Sequence, residues 1–117
     1  MRILILDDHL ELAEMLAVCL RSAGYSALGF TCAAEVLAVL GEDDVLVTDY
    51  HMPEMTGLEV ARRAYAQGWR GSLLLMSGHP AAIGETIEHP LLHLILHKPF
   101  PTQTLIESLP KSSTSSL

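Results

Sequence analysis

Four short runs along the chain, Ile3–Leu6, Val45–Val47, Leu73–Met76 and Leu92–Leu96, are apolar almost throughout instead of alternating with polar positions. Strands buried on both faces have this pattern, and they belong to parallel sheets covered by helices. Between the runs the period becomes helical. Leu12, Leu16 and Leu20 recur every fourth residue, with Met15 and Cys19 one position earlier in each turn, and Gly24 marks a stop. Glu11 and Glu14 near that helix's start and Arg21 near its end follow the helix dipole. A weaker strand at Ser26–Thr31 precedes a helix over 33–40 that places Val36, Leu37 and Leu40 on one face. Thr56-Gly57-Leu58-Glu59 has the form of a capping box, with Thr56 at N-cap and Glu59 at N3. Leu58, Ala61 and Tyr65 then form an apolar stripe up to Gly68, and Pro53 keeps the preceding loop out of helical geometry, so the third strand ends near Asp49. A short helix near 81–88 and another from Pro101 to Leu109 close the series.

Strict alternation of strand and helix predicts an α/β fold, a doubly wound five-stranded parallel sheet in a three-layer (βα)5 sandwich with right-handed crossovers. In such sheets ligands bind beyond the carboxyl ends of the strands. The residues at those ends are Asp7, Asp8, Asp49, Ser77 and Lys98.

Composition narrows the setting. A chain of 117 residues, half of them apolar and 18% charged, makes one packed domain; we place it at residues 1–109, with 110–117 a polar tail or the start of a linker. The net charge of −7 opposes a generic grip on nucleic acid, so no direct nucleic-acid partner is expected. No apolar run approaches the ~20 residues of a membrane span, and the expectation is a cytoplasmic protein without a membrane partner. Cys19 and Cys32 have neither metal-site spacing nor a disulfide framework and are expected as free thiols.

Three carboxylates converging on one crevice need an opposite charge, because at an effective dielectric near 20 each like-charged pair about 4 Å apart costs roughly 4 kcal/mol. Hard oxygen ligands with an open position suit Mg2+. Lys98 adds a point charge and Ser77 a hydroxyl for a phosphoryl oxygen. Together they make a phosphoryl-transfer site, where positioning and charge neutralisation dominate. Asp7 and Asp8 are adjacent, so their side chains are expected to diverge, whereas Asp49 stands alone on its strand. Carboxylates can attack phosphorus to give an aspartyl phosphate, and Asp49 is the better candidate for that role.

The motifs "LILDDH", "VTDYHMPEMTGLE", "LLLMSG" and "HKPF" resemble those of the receiver domain of two-component response regulators, over residues 2–109. The resemblance implies a flavodoxin-like sheet of order 2-1-3-4-5, the order known for that family's chemotaxis regulator and taken over from it. It implies phosphorylation of Asp49, Mg2+ bound by Asp8, Asp49 and the backbone carbonyl of His51 with Asp7 assisting through water, and phosphoryl oxygens held by Ser77 and Lys98. It also implies a cis Lys98–Pro99 bond, which X–Pro sequences tolerate. The phosphoryl donor would be a sensor histidine kinase or a histidine phosphotransfer protein. Output would pass to an effector protein or to a homodimer, through the fourth helix, the last strand and the last helix. One position departs from the pattern: Ile95 stands where the family often has an aromatic residue, so no ring flip can carry the signal there.

His9, His51 and His79 can all rim the crevice, but no H-x3-H spacing on a helix supports a zinc site, and surface histidines are expected. His51 and His79 follow Asp49 and Ser77 by two residues, at places that resemble family positions tuning phosphoryl lifetime. His89, His93 and His97 have no motif support, and Trp69 is expected to be packing. Two other readings stand against the receiver. A haloacid-dehalogenase-like phosphatase needs a D-x-D pattern at the first strand, where this chain has His9, and a cap domain that 117 residues do not accommodate. A degenerate receiver, binding a partner without phosphorylation, would be expected to lack some of Asp7, Asp8, Asp49, Ser77 and Lys98, all of which are present.

Overall fold

In the computed structural model, which describes residues 1–79 and 87–110, the apolar runs become the strands of a five-stranded sheet. The elements are β1 (Arg2–Leu6), α1 (Leu10–Ser22), β2 (Ser26–Phe30), α2 (Ala33–Val39), β3 (Val45–Asp49), α3 (Gly57–Ala66), β4 (Ser72–Ser77), β5 (Leu92–His97) and α4 (Thr102–Ser108). All strands are parallel, in the order β2-β1-β3-β4-β5, which makes this a flavodoxin-like fold with β3 at the centre. The helix expected near 81–88 lies outside the described residues except for Ile87 and Glu88, which belong to no regular element.

Strand parity explains the continuous apolar runs. Ile3, Ile5, Val45, Val47, Leu74 and Met76 point to one face and pack with α1 and α4. Leu6, Leu46, Leu73 and Leu75 point to the other and pack with α2 and α3. Every position of β3 is therefore buried, while the edge strand β5 alternates, with Leu96 buried and His93, Ile95 and His97 exposed.

The buried stripe of α1 is rotated from the one expected. Ala13, Leu16, Ala17 and Leu20 are buried, Leu12 is only half-buried, and Met15 is 49% exposed. The cause is close approach: a β-carbon on Gly29 of β2 would come 3.0 Å from the Ala13 carbonyl oxygen, so small residues line this contact. Gly24, at φ +98°, ends α1 as expected, with Gly24 N–H donating to Arg21 O and Tyr25 N–H to Leu20 O at 3.0 Å each. At the start of α3 the Thr56 hydroxyl accepts from Glu59 N–H at 3.1 Å, while the Glu59 carboxylate pairs with Arg63 and Arg62. Trp69 is core, as expected, and its indole N–H donates to Asp44 O at 2.7 Å.

Candidate functional site

Four strand ends converge at the carboxyl edge of the sheet. Asp7 N–H donates to Phe30 O at 3.1 Å, which extends the β1–β2 pairing and leaves the Asp7 side chain fully buried. Its Oδ1 accepts from His9 N–H at 2.9 Å and faces His9 Nδ1 at 3.1 Å, because the chain turns back on itself directly after β1. That turn also brings the exposed Asp8 carboxylate within 3.3 Å of His9 Nδ1. Contrary to expectation, Asp7 and Asp8 do not diverge: their oxygens and the His9 nitrogen lie within 4.8 Å of one another.

Asp49 ends β3 and is 6% exposed. Tyr50 N–H donates to Met76 O, and Gly57 N–H to Tyr50 O, both at 2.8 Å, so the loop between them closes tightly under the acid. A β-carbon on Gly57 would strike the Asp49 carbonyl oxygen, so only glycine admits this approach. Asp49 Oδ1 accepts from His51 N–H at 3.2 Å.

Ser77 ends β4 and is fully buried. Its Oγ accepts from His79 N–H at 3.1 Å and lies 3.2 Å from His51 Nε2. Lys98 follows β5, its N–H donating to Ser77 O at 2.8 Å, and the Lys98–Pro99 peptide is cis. The Lys98 ammonium reaches Asp7 Oδ2 at 2.6 Å and Asp49 Oδ2 at 3.3 Å.

The electrostatics follow from this geometry. Burial pushes the Asp7 carboxyl up, but the Lys98 ammonium and the His9 N–H outweigh it and hold the group below its ordinary value. Burial likewise pulls the Lys98 ammonium down, and the carboxylates of Asp7 and Asp49 reverse that, so it stays charged above its ordinary value. Two carboxylates, Asp7 and Asp49, share the one ammonium, and the Asp8 carboxylate stands beside Asp7. The ligand atoms of Asp7, Asp8 and His9 lie within 4.8 Å of one another, and carboxylate oxygens gathered in this way fit a hard divalent cation such as Mg2+.

All the site residues singled out in the sequence lie at this edge. Sequence reasoning missed His89. Its Nδ1 accepts from Leu91 N–H at 3.0 Å, Nε2 lies 3.1 Å from Ala61 O, and the ring stands edge-on to Tyr65, pinning the approach to β5 against α3. Only the tertiary fold brings Ala61 and Tyr65 of α3 to the ring, so no local signal announced that contact.

The family model for the response regulator receiver domain matches residues 3–110. The chain is 32% identical to the response regulator receiver protein CpdR of Brucella abortus (strain 2308), over 94% of both proteins. It is 30% identical to the C4-dicarboxylate transport transcriptional regulatory protein DctD of Rhizobium meliloti (strain 1021), over 91% of this chain and 24% of that protein. Among solved structures, the receiver domain of the hybrid histidine kinase CckA superposes with a TM-score of 0.75 at 25% identity, covering 92% of this chain and 94% of that one.

Proposed function

Because this chain belongs to the response regulator receiver family, we propose that Asp49 is the residue that takes the phosphoryl group, from a sensor histidine kinase or a histidine phosphotransfer protein. The observation that carries the assignment is the contrast between the two buried acids. Asp7 is fully buried and committed to Lys98 at 2.6 Å and to His9, whereas Asp49 ends the central strand with a looser 3.3 Å contact to the same lysine.

In this reading an Asp49 oxygen attacks phosphorus, the bond to the donor's nitrogen breaks, and the electron pair leaves with that nitrogen. Lys98 draws the phosphoryl oxygens towards the crevice, and Ser77 donates its hydroxyl to one of them. Mg2+, held by Asp7, Asp8, Asp49 and the His51 carbonyl, would neutralise the charge gathered there. The domain is then a phosphoacceptor that assists its own phosphorylation and dephosphorylation, working in the cytoplasm.

The output surface includes β5 and α4, offered to an effector protein or a second copy; the helix expected near 81–88, also assigned to it from the sequence, lies mostly outside the described residues. Ile95, 38% exposed on β5, supports it as the apolar element of that surface. The test is Asp49→Asn, isosteric but a poor nucleophile. The variant is expected to keep its circular dichroism and to take no phosphate from acetyl phosphate; incorporation equal to wild type would overturn the assignment.

A further inference from the structure

The geometry points to His51 as a positioning residue for phosphoryl transfer: in the unphosphorylated domain its imidazole holds the Ser77 hydroxyl, and it has to release that hydroxyl for a phosphoryl group on Asp49. The inference rests on Asp49 being the phosphoacceptor.

His51 is tied to both groups at once. Its backbone N–H donates to Asp49 Oδ1 at 3.2 Å, and its ring Nε2 lies 3.2 Å from Ser77 Oγ. The residue thus bridges the ends of two neighbouring strands, since Asp49 of β3 stands beside Met76 of β4, one residue before Ser77. Although His51 is exposed, its ring is braced: it stands edge-on to the buried Tyr50 ring, centroids 5.0 Å apart and planes at 79°.

A serine hydroxyl has one O–H and two lone pairs. In Ser77 the His79 N–H occupies one lone pair, and the His51 nitrogen takes either the other or the O–H itself. The hydroxyl is fully buried, so bulk water does not compete for it. A phosphoryl group presents only acceptor oxygens on this side, so it needs the O–H turned towards it. In this proposal Nε2 is the bare acceptor of the Ser77 O–H, with the ring proton on Nδ1: that bond has to break before the O–H can turn to a phosphoryl oxygen, whereas an Nε2–H donating to Ser77 would leave the O–H free. The bond is present before phosphorylation and exchanged during it, so it stabilises the resting state.

Beryllofluoride with Mg2+, a mimic of the aspartyl phosphate, gives the test. Its dissociation constant is measured from amide shifts in wild type, His51→Ala, His51→Phe, Ser77→Ala and the His51→Ala/Ser77→Ala pair. Loss of one net hydrogen bond from the resting state is expected to tighten binding about five-fold in His51→Ala. His51→Phe, which keeps the ring bulk without the nitrogen, is expected to do the same. In the Ser77→Ala background the His51 substitution is expected to change nothing. An equal change in both backgrounds, or weaker binding in His51→Ala, overturns the proposal.

Ring 15N shifts of His51 at mildly alkaline pH, without metal or beryllofluoride, test the tether by itself. In wild type Nε2 is expected at the shift of an unprotonated ring nitrogen and Nδ1 at that of a protonated one, and in Ser77→Ala the two are expected to move in opposite directions towards the tautomer average; a protonated Nε2 in wild type, or ring shifts that do not move in Ser77→Ala, overturns the tether. Wild type binding beryllofluoride no better than Asp49→Asn would instead overturn the Asp49 assignment, and the role of His51 with it.

Discussion

The Lys98 ammonium lies 2.6 Å from Asp7 Oδ2, joining residues 91 positions apart at the carboxyl edge of the sheet. Lys98 is 20% exposed by side chain and Asp7 not at all, so the pair is shielded from salt and water.

Removing the lysine leaves a buried carboxylate without its counter-charge. Lys98→Met is expected to destabilise the domain by about 3 kcal/mol at neutral pH in urea unfolding. The pH dependence has a definite sign. Asp7 in the fold lies below its ordinary value of 3.8, so its contribution is present above that value and lost as pH falls through the lower, folded one. Without Lys98, burial pushes Asp7 up, so the gap between variant and wild type should narrow on acidification through the carboxylate range. A gap that widens would contradict this.

Mg2+ should stabilise the native state by mass action, by about 2.7 kcal/mol at a hundred times its dissociation constant. Asp8 is exposed and, among the described residues, pairs with His9 Nδ1 at 3.3 Å, so Asp8→Ala should change metal-free stability by less than about 0.5 kcal/mol while shrinking the rise in Tm with Mg2+. Thermal melts across a metal titration decide the matter; superimposable shifts in the two proteins would remove Asp8 from the ligand set.

His89 makes the fold pH-sensitive at a second place. Burial, with the charge of Arg62 adding to it, holds its imidazole below 6.5, and Nδ1 cannot gain a proton without losing the Leu91 N–H bond. The unfolded chain therefore takes up the proton first as pH falls. Stability should be level above about 6.5, decline below it, and stop declining once the folded value is passed. In His89→Gln that component should vanish, as the difference between the two stability curves would show.

Gly57→Ala should cost about 2 kcal/mol, since its β-carbon meets the Asp49 carbonyl and lies 3.0 Å from Thr48 Cγ2. The same substitution at Gly78, whose β-carbon would meet nothing within 4 Å, should fall within about 0.5 kcal/mol of wild type. Chemical denaturation of the two variants compares them directly.

Most of the fold was legible because its signals are local. Continuous apolar runs need two covered faces, and β1, β3 and β4 have them. The Thr56 cap and the Gly24 stop act over a single turn and appear where the sequence places them. The α1 stripe was misjudged because hydrophobicity favours leucine and methionine, whereas the close contact with β2 selects Ala13 and Ala17.

By itself, then, the sequence determined the alternation of strand and helix and which polar residues stand at strand ends, since both depend on neighbours within a turn or a strand. Tertiary structure alone decided how those polar residues are shared. It buried Asp7 and exposed Asp8, gave Lys98 to two acids, set His51 on Ser77 and lodged His89 against α3. Each of these is a contact of a few ångströms between residues far apart in the chain or turned differently by one backbone step, and such contacts exist only once the strand order has brought the ends together.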